Sequence, residues 1–71
     1  MTPRQLDAKE IGRKIRHLRL KHKMTQWTLA FNADLNSSYI ALLERGHRIP
    51  SLEVLYRLAR YLRCRPEDLL S

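Results

Sequence analysis

The side chains in this sequence that could carry out chemistry are few and scattered. Cys64 is the single cysteine, His17, His22 and His47 are the histidines, and Ser37 and Ser38 are the one adjacent pair of serines. A zinc site draws on clustered Cys, His and acidic ligands, and these histidines show no such spacing with Cys64 or with paired acids. A serine nucleophile needs a base beside it, and none is predicted for Ser37 or Ser38. With Gly 2 in the whole chain there is no glycine-rich phosphate loop. An enzyme is the least supported class, and no metal and no cofactor are expected. The histidines read as surface groups and Cys64 as a buried, inert thiol.

What the sequence offers instead is charge for binding. The 71 residues carry Lys+Arg 14 against Asp+Glu 7, a net charge of +7, which points to an acidic polymer or surface as partner. The excess sits at one end: Arg4, Lys9, Arg13, Lys14, Arg16, Arg19, Lys21 and Lys23 face only Asp7 and Glu10. Between Met24 and Leu43 there is no Lys or Arg at all. A lone cysteine excludes an internal disulfide framework and suits a reducing compartment. Met1 to Leu6 lacks the apolar run of a signal peptide, and no stretch approaches the roughly 18 apolar residues of a membrane span. A cytoplasmic protein with nucleic acid as its leading partner is expected, with no membrane association.

A chain this short makes one compact domain, residues 1–71, with residues 1–6 as a flexible arm, and buries roughly 60% of its unfolded surface. Asp7 followed by Glu10 fits a capping box, and Ile11, Ile15 and Leu18 then recur at helical spacing, so a helix is expected from about Ala8 to His22. Thr25 can cap a second helix, Gln26 to Ala33, with Leu29, Ala30 and Ala33 inward. After a break at Asp34 and Leu35, Asn36 can cap a third, Ser37 to Arg45, stopped by Gly46. Pro50 and Ser51 prepare a fourth, Leu52 to Leu62, with Leu52, Leu55, Leu58, Ala59 and Leu62 inward. Pro66, Glu67 and Asp68 open a last turn. No period-two pattern appears, so the expected class is all-α.

Two short helices joined by a tight break make a helix-turn-helix pattern. At 100° per residue, Ile40 and Leu43 of the third helix face the core, while Ser37, Ser38, Ala41, Leu42 and Arg45 cluster on the free face. Small hydroxyls, an alanine and a leucine make a poor solvated face. They suit close contact with base edges and thymine methyl groups in a major groove.

Met24-Thr-Gln-Trp-Thr-Leu-Ala, Tyr39-Ile-Ala-Leu-Leu-Glu-Arg-Gly and Pro50-Ser-Leu-Glu-Val-Leu together resemble the lambda-repressor/Cro (Xre-type) helix-turn-helix family. The resemblance covers about Ile11 to Leu70. It implies a five-helix domain that binds double-stranded DNA as a homodimer, with the third helix in the major groove. Carried over position by position, it implies base contacts from Asn36, Ser37, Ser38, Tyr39 and Leu42. Phosphate contacts are implied for Gln26, Arg45, His47 and Arg48. Arg19 and Glu44 match a partly buried ion pair tying the first helix to the end of the third. Leu69 and Leu70 match the dimer contact, with one of them expected to complete the core.

The sequence departs from that family in places. Asp34 stands where a turn glycine is expected, can adopt a left-handed backbone at a modest penalty and adds negative charge near the DNA side, while Arg63 stands where glycine usually ends the fourth helix, which leaves the geometry of that end open. Trp27 and Phe31 replace polar positions at i, i+4. They are either covered by the arm through Leu6 or another helix, or they form a docking patch for another protein. The leading function is a DNA-binding transcriptional regulator, a repressor or controller reading a pseudo-palindromic operator. The alternative is an antitoxin-like interaction module working through Trp27 and Phe31.

Overall fold

The computed structural model describes residues 6–70, which form five helices and no strand: α1 (Ala8–Lys21), α2 (Gln26–Asn32), α3 (Ser37–Glu44), α4 (Leu52–Leu62) and α5 (Pro66–Leu70). The helix starts are written in short polar side chains that satisfy otherwise orphaned backbone donors. Asp7 accepts from the N–H of Lys9 at 2.9 Å, Thr25 from Thr28 at 3.0 Å, Asn36 from Ser38 at 2.7 Å and Ser51 from Val54 at 3.3 Å. At α5 the backbone N–H of Arg65 donates to Asp68 Oδ2 at 3.0 Å.

Four helix ends share one device. Lys23, Asp34 and Arg63 adopt φ 58° and Gly46 φ 76°, and the N–H of the residue after each returns to a carbonyl five residues earlier. Those donors are Met24 (to Arg19), Leu35 (to Ala30), His47 (to Leu42) and Cys64 (to Ala59). Three of the four, Met24, Leu35 and Cys64, pack their side chains on the core, so each turn is closed by burial as well as by hydrogen bonding. Residues 22, 33 and 45, expected to be helical, serve as C-caps instead.

The core is one cluster to which every helix contributes: Ile11 and Ile15, Leu29 and Ala30, Ile40 and Leu43, Leu55, Leu58, Ala59 and Leu62, and Leu69, joined by Ala33. Each large aliphatic side chain removed from water stabilises the fold by roughly 1.5–3 kcal/mol. Leu18, expected inside, is half-buried and packs on the rim of the cluster.

Several expectations need correction. Leu52, assigned to the inner side of α4, is 67% exposed, and Pro50 is buried at that end of the helix instead. Cys64 is half-buried rather than fully buried. Leu69 is the leucine that completes the core and is inaccessible within its own chain, so its side chain has no surface left for a second subunit. Leu70 is half-buried and packs on the same core. No described element covers Trp27 or Phe31, and Leu6 is itself exposed. The rest of the expected arm, residues 1–5, lies outside the described residues.

Candidate nucleic-acid interface

The third helix is anchored from beneath by Ile40 and Leu43, both fully buried. That anchoring turns Ser38, Leu42 and Arg45, at i, i+4 and i+7, onto one outward stripe. Ser38 and Arg45 are exposed; Ser37, Ala41 and Leu42 are half-buried along its side. Asn36 is exposed, but its Oδ1 is committed to the Ser38 cap, so its NH2 is the part left to donate outward. Tyr39 is half-buried against the core, so part of its ring is structural. His47 and Arg48 stand exposed in the loop that follows.

A buried polar knot fixes the α3 stripe to the rest of the domain. Arg19 donates through Nε to Glu44 Oε2 at 2.6 Å and through NH2 to Glu44 Oε1 at 3.0 Å, with 9% and 3% of the two side chains exposed. Its NH1 donates to the carbonyl of Met24 at 2.8 Å, where α1 gives way to the turn before α2. Gln26 Nε2 donates to Glu44 Oε1 at 3.1 Å, so α1, α2 and α3 meet at one carboxylate. A guanidinium fork on a carboxylate is directional, and it neutralises an acid that would otherwise repel phosphates from the end of α3. One N–H of the Gln26 amide remains free to donate outward.

Sequence reasoning missed three features of this region. Gly12 sits where α1 crosses the end of α3, and a Cβ there would collide with the backbone carbonyl of Leu43 and come within 2.8 Å of that of Glu44. A glycine in a helix interior, destabilising by roughly 0.5–1 kcal/mol, was the available signal. Lys9 was counted only as one of the basic residues near the start of the chain, but its Cγ lies 2.7 Å from where a Cβ on Gly46 would be. The first turn of α1 therefore packs on the loop after α3, adding a cation beside Arg45, His47 and Arg48. The Gln26–Glu44 bond had no sequence signal, because residues 18 apart meet only through the fold.

The pair Arg13–Glu10 at 4.0 Å is exposed and contributes little. Burial, assisted by the charge of Asp68, raises the Cys64 thiol above its ordinary value, which disfavours the thiolate. Among the described residues no group of three or more His, Cys, Asp or Glu is arranged to hold a metal ion, and no helix is long and apolar enough to cross a membrane. Trp27 and Phe31 stack with ring centroids 5.2 Å apart and 13° between planes, and are 64% and 69% exposed. Together with Leu35, Asn36 and Ser37 they border a shallow groove of about 250 Å³ beside the start of α3.

Comparison with known proteins agrees with this geometry. The sequence model of the helix-turn-helix family matches residues 15–69. The control protein C.BamHI of Bacillus amyloliquefaciens is 43% identical over 61 residues, covering 84% of this chain and 75% of that protein. The restriction-modification controller protein C.AhdI of Aeromonas hydrophila superposes with a TM-score of 0.84 at 38% identity, covering 89% of this chain and 96% of that one. The P22 c2 repressor, solved with a synthetic operator, superposes with a TM-score of 0.83 at 32% identity, covering 96% and 97%.

Proposed function

This chain belongs to the helix-turn-helix family, with the five-helix fold of lambda-repressor-like DNA-binding domains, and on that premise we propose that it is a sequence-specific DNA-binding regulator of transcription, a repressor or a controller. The observation that carries the reading is the outward stripe of Ser38, Leu42 and Arg45 on α3, held in place by the buried Arg19–Glu44–Gln26 knot. Ser37, Ser38, Leu42, the Asn36 amide and the outer part of Tyr39 read base edges in the major groove. Gln26, Arg45, His47 and Arg48 hold the phosphates on either side.

The site has few charges of its own, and the surrounding cations supply the sequence-independent part of the affinity through counterion release. A homodimer places two such stripes roughly 34 Å apart, one helical turn of DNA, so the operator is a pseudo-palindrome. The protein acts in the cytoplasm, without catalysis and without a cofactor. Selection of bound duplexes from a random pool tests all of this at once: enriched sequences with two-fold symmetry are expected. A pool that stays random, or one that enriches a single asymmetric half-site, overturns respectively the sequence-specific and the dimeric part of the reading.

The exposure of the stacked Trp27 and Phe31 rings favours a second role, docking of another protein beside the DNA-bound face. Replacing both by glutamine should leave affinity for the selected duplex unchanged. A loss of DNA affinity would return the pair to the DNA interface.

A further inference from the structure

We propose that the cleft between the outer side of α4 and the end of α2 is a binding site for a guanosine phosphate. The cleft has a volume of about 560 Å³, within the roughly 300–1,000 Å³ of sites that hold small molecules. The groove beside Trp27 and Phe31 is less than half as large and has no charged side chain along it. None of the residues lining the cleft belongs to the DNA-facing set, so the inference does not rest on the regulator reading.

One wall is α4. At 100° per residue, Tyr56, Arg60, Arg57 and Tyr61 follow one another around an arc of about 140°, two guanidinium groups between two phenol rings. Arg57 commits one amino group to Glu53, at 2.8 Å, and keeps its other donors. Arg60 is exposed, and among the described residues its side chain has no hydrogen bond or ion pair. Two cations three residues apart on a helix repel each other, and an anion lodged between them removes that repulsion. A terminal phosphate has three oxygens and so engages both guanidinium forks at once, where a carboxylate has two.

The rings hold the rest of the ligand. Tyr61 is half-buried and fixed against the core, while Tyr56 is 59% exposed and offers an open face, on which a nucleobase stacks. The opposite wall, the last residue of α2 and the turn after it, selects the base. It carries Asn32 and Asp34, both exposed, with the Asp34 backbone held at φ 58° and its carboxylate without a partner among the described residues. A carboxylate only accepts, through two oxygens side by side, and guanine is the base whose edge presents two adjacent N–H donors, at N1 and N2. Adenine sets an acceptor beside its amine, which a carboxylate repels. The Asn32 amide supplies a donor for the guanine O6 next to N1.

Isothermal titration calorimetry of the full chain with GMP, AMP, guanosine and inorganic phosphate, with amide NMR shifts to place the ligand, tests the site. GMP should bind about 10-fold or more tightly than AMP, and guanosine and phosphate each more weakly than GMP, because each satisfies only one wall. The shifts should centre on residues 32–34 and 56–61. Arg60→Gln should weaken GMP by about 10-fold or more, the loss of a charge-assisted hydrogen bond. Asp34→Asn, which keeps a residue that accepts the left-handed turn, should bring GMP and AMP to equal affinity. Tyr56→Leu, expected to weaken both nucleotides, is the second variant if Arg60→Gln alters the melt. Arg48→Ala, a change on the DNA-facing side, should leave GMP binding as it is. No GMP binding at millimolar concentration, equal affinity of the wild-type chain for GMP and AMP, phosphate binding as tightly as GMP, or a loss on Arg48→Ala as large as on Arg60→Gln overturns the proposal. A chain that binds GMP in this cleft yet selects no DNA sinks the regulator reading and leaves the cleft standing.

Discussion

Arg19 and Glu44, 25 residues apart in sequence, meet through two parallel hydrogen bonds of 2.6 and 3.0 Å in a place almost closed to water. The contact joins the last full turn of α1 to the last residue of α3, so the angle of α3 depends on it. Removing one partner from such a pair strands the other charge. Glu44→Ala is therefore expected to destabilise the domain by about 3–5 kcal/mol, which urea unfolding would measure. A loss under about 1 kcal/mol would mean that the pair behaves as an exposed one.

Gly12→Ala sets helix propensity against packing. Alanine favours an isolated helix by roughly 0.8–1.0 kcal/mol over glycine, but here its methyl meets backbone carbonyls that move only with α3 itself. Overpacking of this kind costs about 1–3 kcal/mol, so a net loss of stability is expected, accompanied by weaker DNA binding as α3 shifts. A stabilised variant would show that the α1–α3 crossing yields easily.

Asp34 at φ 58° is the opposite case, since glycine takes that backbone without strain. Asp34→Gly should raise stability by about 0.5–1 kcal/mol, the relief of a left-handed residue less the added freedom of the unfolded chain. It should also tighten DNA binding at low salt by removing an exposed negative charge from the turn before α3. Unfolding curves and a salt titration of affinity check the two parts separately.

Phosphate and base contacts differ in signature. Arg48→Ala and Lys9→Ala should each weaken all sequences alike and lower the salt slope by about one unit. Ser38→Ala and Leu42→Ala should instead alter preference at one or two base positions of the selected operator. A uniform loss across sequences from Ser38→Ala would remove that serine from the reading face.

The Cys64 thiol is held protonated above its usual range, chiefly by burial and secondarily by Asp68. Because the thiolate is the reacting species, the rate with a neutral disulfide reagent should climb at a higher pH than for free cysteine. Asp68→Asn, which keeps an acceptor for the Arg65 N–H, should move the profile only partway back. A profile identical to that of free cysteine would mean the thiol is open to water.

The sequence by itself determined the elements. Asp7, Thr25, Asn36 and Ser51 announce helix starts through chemistry confined to three or four neighbouring residues, and the apolar spacing of Ile11 and Ile15, or of Leu55, Leu58 and Leu62, states which side goes inward. The motifs around Gln26, Glu44 and Ser51 likewise carried the family in the order of their residues.

Only the tertiary structure decided how far each apolar stripe is used. Periodicity marks a possible inner side but cannot say where the covering helices end, so Leu52 was assigned inward and lies outward, while of Leu69 and Leu70, one of which was expected to complete the core, it is Leu69 that does so. The same holds for Gly12, Lys9 and the Gln26–Glu44 bond: each role arises between segments distant in sequence, and only packing brings those segments within reach.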